Sequence, residues 1–239
     1  LQKKDARMSA VLIVAHGQPS DPAPAAAELA ALAARVAALL PGHEVASATL
    51  AEPGALARAV ARLGPGGVVF PMFMAGGWFT RVHLPAQLAA AGALGWRVLE
   101  PLGCDPALHD LAVAVVAGVP EVLLAAHGSF KSSVPSDIAQ VVAGKIAATG
   151  ARVTVGFIDQ APQLSSLRGF GPEAVCLPYF AAAGGHVSED IPRALAEARF
   201  QGRVLPALGL EARVPALVAA AVLRRAPVCA ADCRFKRTN

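Results

Sequence analysis

The chain has 239 residues, of which 55% are apolar and only 5% aromatic, with a formal net charge of +4. That length allows one large α/β domain or two compact ones of roughly 110–120 residues each, and the Ala, Val and Leu content is ample for a core. Much of the basic excess is terminal (Lys3, Lys4, Arg7, Arg234, Lys236, Arg237) and no basic helix face carries interleaved aromatics, so no nucleic-acid partner is expected.

The opening LQKKDAR is charged, with no apolar stretch and cleavage site behind it, which argues against a signal peptide; Met8 is a candidate natural start. Short β-branched runs at residues 10–15, 45–50, 67–73 and 97–100 predict strands, and the Ala/Leu stretches at 24–40 and 55–63 follow a helical period. The longest apolar run, 111–118, stops before Pro120, short of the roughly 18–20 residues that a membrane span requires. The pattern then restarts, with strands predicted at 121–126, 152–158, 174–180 and 203–206 and helices at 136–149 and 191–198. Asp190 is the expected N-cap of the last helix, with Pro192 in its first turn, and Gly150 and Gly202 are the expected helix stops. Cys104, Cys176, Cys229 and Cys233 do not form a disulfide framework, and a cytoplasmic protein with no membrane contact is the simplest reading.

The restart is an internal repeat. VLIVAHGQPSDP (11–22) is echoed by VLLAAHGSFKSS (122–133), VVFPMFMAGGWFTRVHLPAQL (68–88) by AVCLPYFAAAGGHVSEDIPRAL (174–195), and EPLGCDPAL (100–108) by PALGLEARVPAL (206–217). Three matches in the same order predict an N-terminal lobe at 8–118 and a C-terminal lobe at 119–226, with tails at 1–7 and 227–239. The expected fold class is α/β: two duplicated flavodoxin-like lobes, each a doubly wound parallel sheet. Ligands in such sheets bind beyond the carboxyl ends of strands, which points to the two HG loops and the two P-x-F loops.

His127 ends the first strand of the second repeat, and Gly128 lets the backbone turn away from it. His186 follows the third strand of that repeat behind Gly184 and Gly185, so both imidazoles fall at one sheet edge. Two neutral imidazoles there can ligate a divalent first-row metal or accept protons near neutral pH. Either alone is more often a loop histidine bonded to nearby backbone; the pair at matching positions carries the inference. Asp159, after the second strand, is the carboxylate expected to balance charge, with a strand-end or capping role as the bland alternative. Asp190 reads as a cap and Glu189 as a solvated residue. In the first repeat His16 matches His127, an ungapped alignment sets Phe79 opposite His186 and His83 opposite Asp190, and Glu52 stands near the place of Asp159. That half is expected to supply a wall, with Met74, Trp78 and Phe79 offering apolar surface to a flat ligand unless they simply pack the core. His16 is expected to line the cleft, whereas His43 and His109 read as solvent-facing. Cys229-x3-Cys233 has no second pair. The chain lacks GxGxxG after a first strand, GxxxxGK[ST] and GxSxG, so no nucleotide and no hydrolase elbow are expected.

VLLAAHGS and PYFAAAGGHVSEDIP resemble the class II chelatases, the single-subunit sirohydrochlorin cobalto- and ferrochelatases, and the first-repeat motifs extend the resemblance over nearly the whole chain. The resemblance implies a lyase that inserts Co²⁺ or Fe²⁺ into sirohydrochlorin without ATP, in cobalamin or sirohaem biosynthesis. It puts the catalytic roles on His127, His186 and Asp159 and metal ligation on His127 and His186; Ser129, Lys131, Gly184, Gly185 and His16, on the neighbouring loops, are the candidate substrate-binding residues. The HGSFKSS loop lacks the arginine that often follows HGS in that family, and Lys131 is its expected substitute. Basic residues at Lys131, Arg168, Arg193 and Arg81 would suit a polycarboxylate tetrapyrrole better than an apolar one. The metal is a substrate, the tetrapyrrole the partner, and a homodimer the candidate assembly. A non-catalytic tetrapyrrole or metal carrier, and a different small-molecule enzyme on the same scaffold, are the competing readings.

Overall fold

The structure, a computed structural model, describes residues 9–224, 227 and 233–235. In chain order the elements are β1 (Ser9–Ala15), α1 (Pro22–Leu39), β2 (His43–Thr49), α2 (Ala55–Leu63), β3 (Gly67–Pro71), α3 (Leu84–Ala90), β4 (Arg97–Val98), α4 (Pro106–Val115), β5 (Glu121–Ala126), α5 (Val134–Ala147), β6 (Arg152–Phe157), β7 (Val175–Pro178), α6 (Ile191–Glu197), β8 (Arg203–Val204) and α7 (Val214–Leu223). The strands form two parallel four-stranded sheets of the same order, β2-β1-β3-β4 and β6-β5-β7-β8. The chain is thus a duplicated α/β protein, as the repeat predicts.

Strand periodicity divides the apolar residues between the faces of each sheet. In β1, Val11 and Ile13 face a central core while Ala10, Leu12 and Val14 face outward; in β5, Val122, Leu124 and Ala126 face that same core and Leu123 and Ala125 face outward. Helices α1, α4, α5 and α7 fill the space between the sheets, and α2 and α3 cover the outer face of one and α6 that of the other. The central core draws on both repeats, so neither sheet buries its inner face without the other. At the junction the Tyr179 hydroxyl donates to Gly103 O at 3.0 Å, Arg35 Nη2 donates to Ala212 O at 2.7 Å, and Lys145 pairs with Asp110 at 2.6 Å. Helix α1 has the length and mean hydropathy (1.2) of a candidate membrane span; it nevertheless carries Glu28 and Arg35 and lays Leu29, Ala33 and Val36 into the central core.

Several local expectations need correction. The β3 and β7 ladders end at Pro71 and Pro178 rather than at residues 73 and 180, since proline has no N–H to continue them. The last strand of each sheet shrinks to two residues. Asp190 is not an N-cap: its φ of −71° and ψ of −42° are helical, its side chain caps no backbone group, and the helix runs back through a π-turn, His186–Asp190. Gly202 does not stop α6; Arg199 takes the left-handed turn (φ +54°), while a Cβ on Gly202 would lie 2.1 Å from Ala174 O. His109 is 1% exposed and bonds Gly103 O at 2.8 Å through Nε2, and His43 is half-buried, so neither faces solvent as expected. Cys229 lies outside the described residues. Cys233 is buried, and its hydrogen bond to Cys104, with burial, pushes the Cys104 thiol far above the usual range.

Candidate active site

In both sheets the chain leaves the central strand toward one side and returns on the other, so the switch point lies between β1 and β3 and, in the second sheet, between β5 and β7. The loops beyond those strand ends carry His16 and Phe79 in the first lobe and His127 and His186 in the second. Gly128 takes φ +76°, and a Cβ there would lie 2.6 Å from Gln160 Cγ, so only glycine fits the turn that leaves His127 at the edge. Gln160 locks the same loop from outside, its Oε1 accepting the Ser129 N–H at 2.7 Å.

The two imidazoles converge. His127 Nε2 and His186 Nε2 are 3.1 Å apart, with ring centroids at 4.5 Å and planes at 90°. His127 Nδ1–H donates to Gly128 O at 2.9 Å and His186 Nδ1–H to Asp190 Oδ2 at 2.7 Å. With both Nδ1 protons committed to acceptors that cannot donate, both Nε2 lone pairs are left for the gap. Two lone pairs at this separation repel unless a cation lies between them. With metal–nitrogen bonds of about 2.1 Å, the spacing corresponds to an angle of about 95° at one metal. The side chains are 42% and 45% exposed, so the gap is open to a ligand. Cavities of about 360 and 340 Å³ lie elsewhere, the first around Glu100, Asp105 and Arg234, the second between α1, β2 and α2.

Asp159 Oδ2 is 3.6 Å from His127 Nδ1, on the ring edge away from the gap. No third metal-ligating side chain joins the histidines among the described residues. Of the expected substrate-side residues, Ser129 turns its hydroxyl into its own loop, where it accepts the Lys131 N–H at 3.1 Å. Lys131 is exposed, and the tip of this loop, Phe130, is 81% exposed. A Cβ on Gly184 would meet nothing within 4 Å, and one on Gly185 only the Gln18 amide at 3.8 and 3.9 Å, so the first lobe's HG loop borders the glycines in front of His186. Arg168 is turned to the carbonyls of Ser165 and Leu167, and Arg193 to Asp190. Sequence reasoning missed Gln160, which bears no motif, and Phe180, which lies 6.4 and 6.2 Å from the two imidazoles. It misassigned Asp190, although a carboxylate four residues after a histidine on a turn was a readable signal.

The first lobe repeats this backbone without its chemistry. His16 Nδ1 bonds Gly17 O at 2.9 Å, and the His16 ring meets Phe79 at 4.7 Å and 84°, the arrangement His127 makes with His186. The strand register places Ala51, not Glu52, opposite Asp159: Ala51 N bonds His16 O at 2.9 Å as Asp159 N bonds His127 O at 2.9 Å. Glu52 is ion-paired with Arg58. Trp78 and Phe79 are 59% and 36% exposed and do not simply pack a core, whereas Met74 is half-buried and packs against the central core. His83 stacks on Trp78 at 4.8 Å.

The CbiX family model matches twice, over residues 10–118 and 121–225. Among solved structures the chain is similar to CbiX, the terminal enzyme for biosynthesis of siroheme in denitrifying bacteria, with 46% identity and a TM-score of 0.83 over 90% of this chain and 98% of that one. SirB from Bacillus subtilis with Fe³⁺ aligns at 16% identity and TM-score 0.71 over 95% and 98% of the two chains. The sirohydrochlorin chelatase SirB from Bacillus subtilis subspecies spizizenii, in complex with cobalt, aligns at 18% and 0.67 over 91% and 95%; these two likenesses speak to the fold. A search of curated proteins gives no significant match. Two tandem matches that together span both sheets, and a near-full-length relative at 46% identity, make this chain a member of the CbiX family.

Proposed function

We propose that the chain inserts Co²⁺ or Fe²⁺ into sirohydrochlorin without a nucleotide, in sirohaem or cobalamin biosynthesis, with the chemistry in the C-terminal lobe (119–226) and a binding wall in the N-terminal lobe (8–118). The observation that carries this reading is the 3.1 Å approach of His127 Nε2 and His186 Nε2, each with its Nδ1 proton tied down. A metal substrate must be released, and two nitrogen ligands with no third side chain among the described residues leave open positions for water and then for pyrrole nitrogens. The likeness to CbiX supplies the reaction class.

Insertion of M²⁺ into a free-base macrocycle breaks two pyrrole N–H bonds, forms metal–nitrogen bonds and releases two protons. His127 and His186 hold the metal at the gap; as it passes to the ring, their freed Nε2 lone pairs accept those protons. Asp159, 3.6 Å from His127 Nδ1, faces the positive charge that this ring then carries. On the substrate side, Gly184 and Gly185 leave room for the macrocycle, Trp78 and Phe79 form an apolar wall with His16 beside it, and Ser129 and Lys131 stand on the loop that meets its carboxylates. The enzyme takes metal and tetrapyrrole as its two substrates.

The test is an absorbance time course with sirohydrochlorin and each metal, set against the uncatalysed rate. The wild type should turn over without ATP, and His127→Ala or His186→Ala should reduce insertion to background while far-UV circular dichroism stays unchanged. Wild-type turnover in either variant would sink the assignment, as would stoichiometric binding with no metallated product.

A further inference from the structure

We infer that Asp190 is a positioning residue that holds His186 in the Nδ1–H form and so aims its Nε2 at the metal gap, an inference that rests on the metal-insertion reading above. Asp190 Oδ2 accepts from His186 Nδ1 at 2.7 Å, and its other oxygen is ion-paired with Arg193, so the carboxylate is held from both sides. An imidazole left without that acceptor can tautomerise or rotate. A proton on Nε2 would then point into the gap and block ligation.

The usual reasons for a carboxylate at this place do not apply. Asp190 does not cap α6, because its backbone is helical and its side chain reaches no backbone N–H. Nor does the π-turn need it. The first lobe has the same turn, Phe79–His83, closed by Leu84 N–H to Phe79 O as Ile191 N–H closes onto His186 O, with Phe79 in the place of His186 and His83 in the place of Asp190. Within one molecule, the carboxylate stands only where the turn begins with a histidine. The ion pair with Arg193, whose side chain is 67% exposed, contributes little in water. What remains is the bond to His186.

The experiment measures Co²⁺ affinity of the full chain, without tetrapyrrole, by equilibrium dialysis for the wild type, Asp190→Ala, Asp190→Asn, His186→Ala and the His186→Ala/Asp190→Ala pair. Asp190→Ala should weaken Co²⁺ binding by about 10–100-fold, the range for outer-sphere partners of metal-bound histidine. Asp190→Asn, which keeps an oxygen acceptor for Nδ1–H, should recover most of that loss. In the His186→Ala background Asp190→Ala should change affinity less than about twofold, since residues acting as a unit are not additive. Metal-free sirohydrochlorin binding and the unfolding midpoint should stay at wild-type values, which a merely structural role would not allow. An equal loss from Asp190→Ala in both backgrounds, or wild-type affinity in Asp190→Ala beside a normal loss in His186→Ala, overturns the role of Asp190 alone. Wild-type affinity in His186→Ala overturns the metal site and this role with it.

Discussion

Behind the two nitrogens of the gap stand different acceptors, a backbone carbonyl for His127 and a carboxylate for His186. The carbonyl is in place because Gly128 adopts φ +76° against Gln160. Gly128→Ala forces an L residue into the left-handed region, which costs about 1–2 kcal/mol, and drives its methyl into the Gln160 side chain. We expect the unfolding midpoint to fall by roughly 2–4 °C per kcal/mol lost and Co²⁺ affinity to drop with it as His127 swings out of line. Calorimetry and dialysis on the same variant decide this, and undiminished Co²⁺ affinity would mean that the loop does not set the ring. A gentler change, Gln160→Ala, leaves the Ser129 N–H without its acceptor and should cost about 1 kcal/mol, read as a lower denaturant midpoint.

On the metal-insertion reading proposed above, the π-turn is the element that decides which lobe holds metal. Both turns share a backbone, and His16 already presents the ring that His127 presents, with its Nδ1 bonded to Gly17 O. Phe79→His should therefore build a second, weaker nitrogen pair and raise bound Co²⁺ from one to two per chain. With His83 where Asp190 would be, the new site should be weaker than the first by about 10–100-fold. Equilibrium dialysis over a range of Co²⁺ concentrations counts the sites, and a stoichiometry fixed at one would show that turn geometry alone does not make the pair. This correspondence was legible in the sequence because the motifs from Pro71 and Pro178 onward align without a gap. Carried back to Glu52, the same alignment misplaces it, since the connection from the second strand to the third is a residue longer in the first repeat, Ala51 to Pro71 against Asp159 to Pro178. Strand cores and helix interiors were readable from periodicity; their ends were not. Proline truncates β3 and β7, and the π-turn replaces a cap with continuous helix, a hydrogen-bond choice that side-chain pattern does not encode. The histidine pair could be named from its topological positions, but the 3.1 Å approach and the tautomers that give it meaning exist only in three dimensions.

At the scale of the whole molecule, the lobes act as one body because their inner faces share a core and because hydrogen bonds cross between them, one of them buried: Gly103 O accepts from Tyr179 of the second lobe at 3.0 Å and, within its own lobe, from His109 at 2.8 Å. Tyr179→Phe removes this buried bond between the lobes, an expected loss of about 1 kcal/mol that should appear as a single shifted transition rather than two. His109 makes this junction sensitive to acid. Its burial, reinforced by Lys145, holds its pKa below the usual histidine value, while the Gly103 bond offsets part of that shift. The unfolded chain therefore binds the proton first as pH falls. Stability from neutral His109 is fully present above about pH 6.5 and is lost as pH drops through the unfolded value toward the depressed folded one, at no more than about 1.4 kcal/mol per pH unit. His109→Gln retains a donor for Gly103 O but cannot titrate. Its unfolding free energy, measured by urea titration from pH 7.5 to 5, should fall less steeply than that of the wild type, and parallel curves would show that His109 is not the group that weakens the junction in acid.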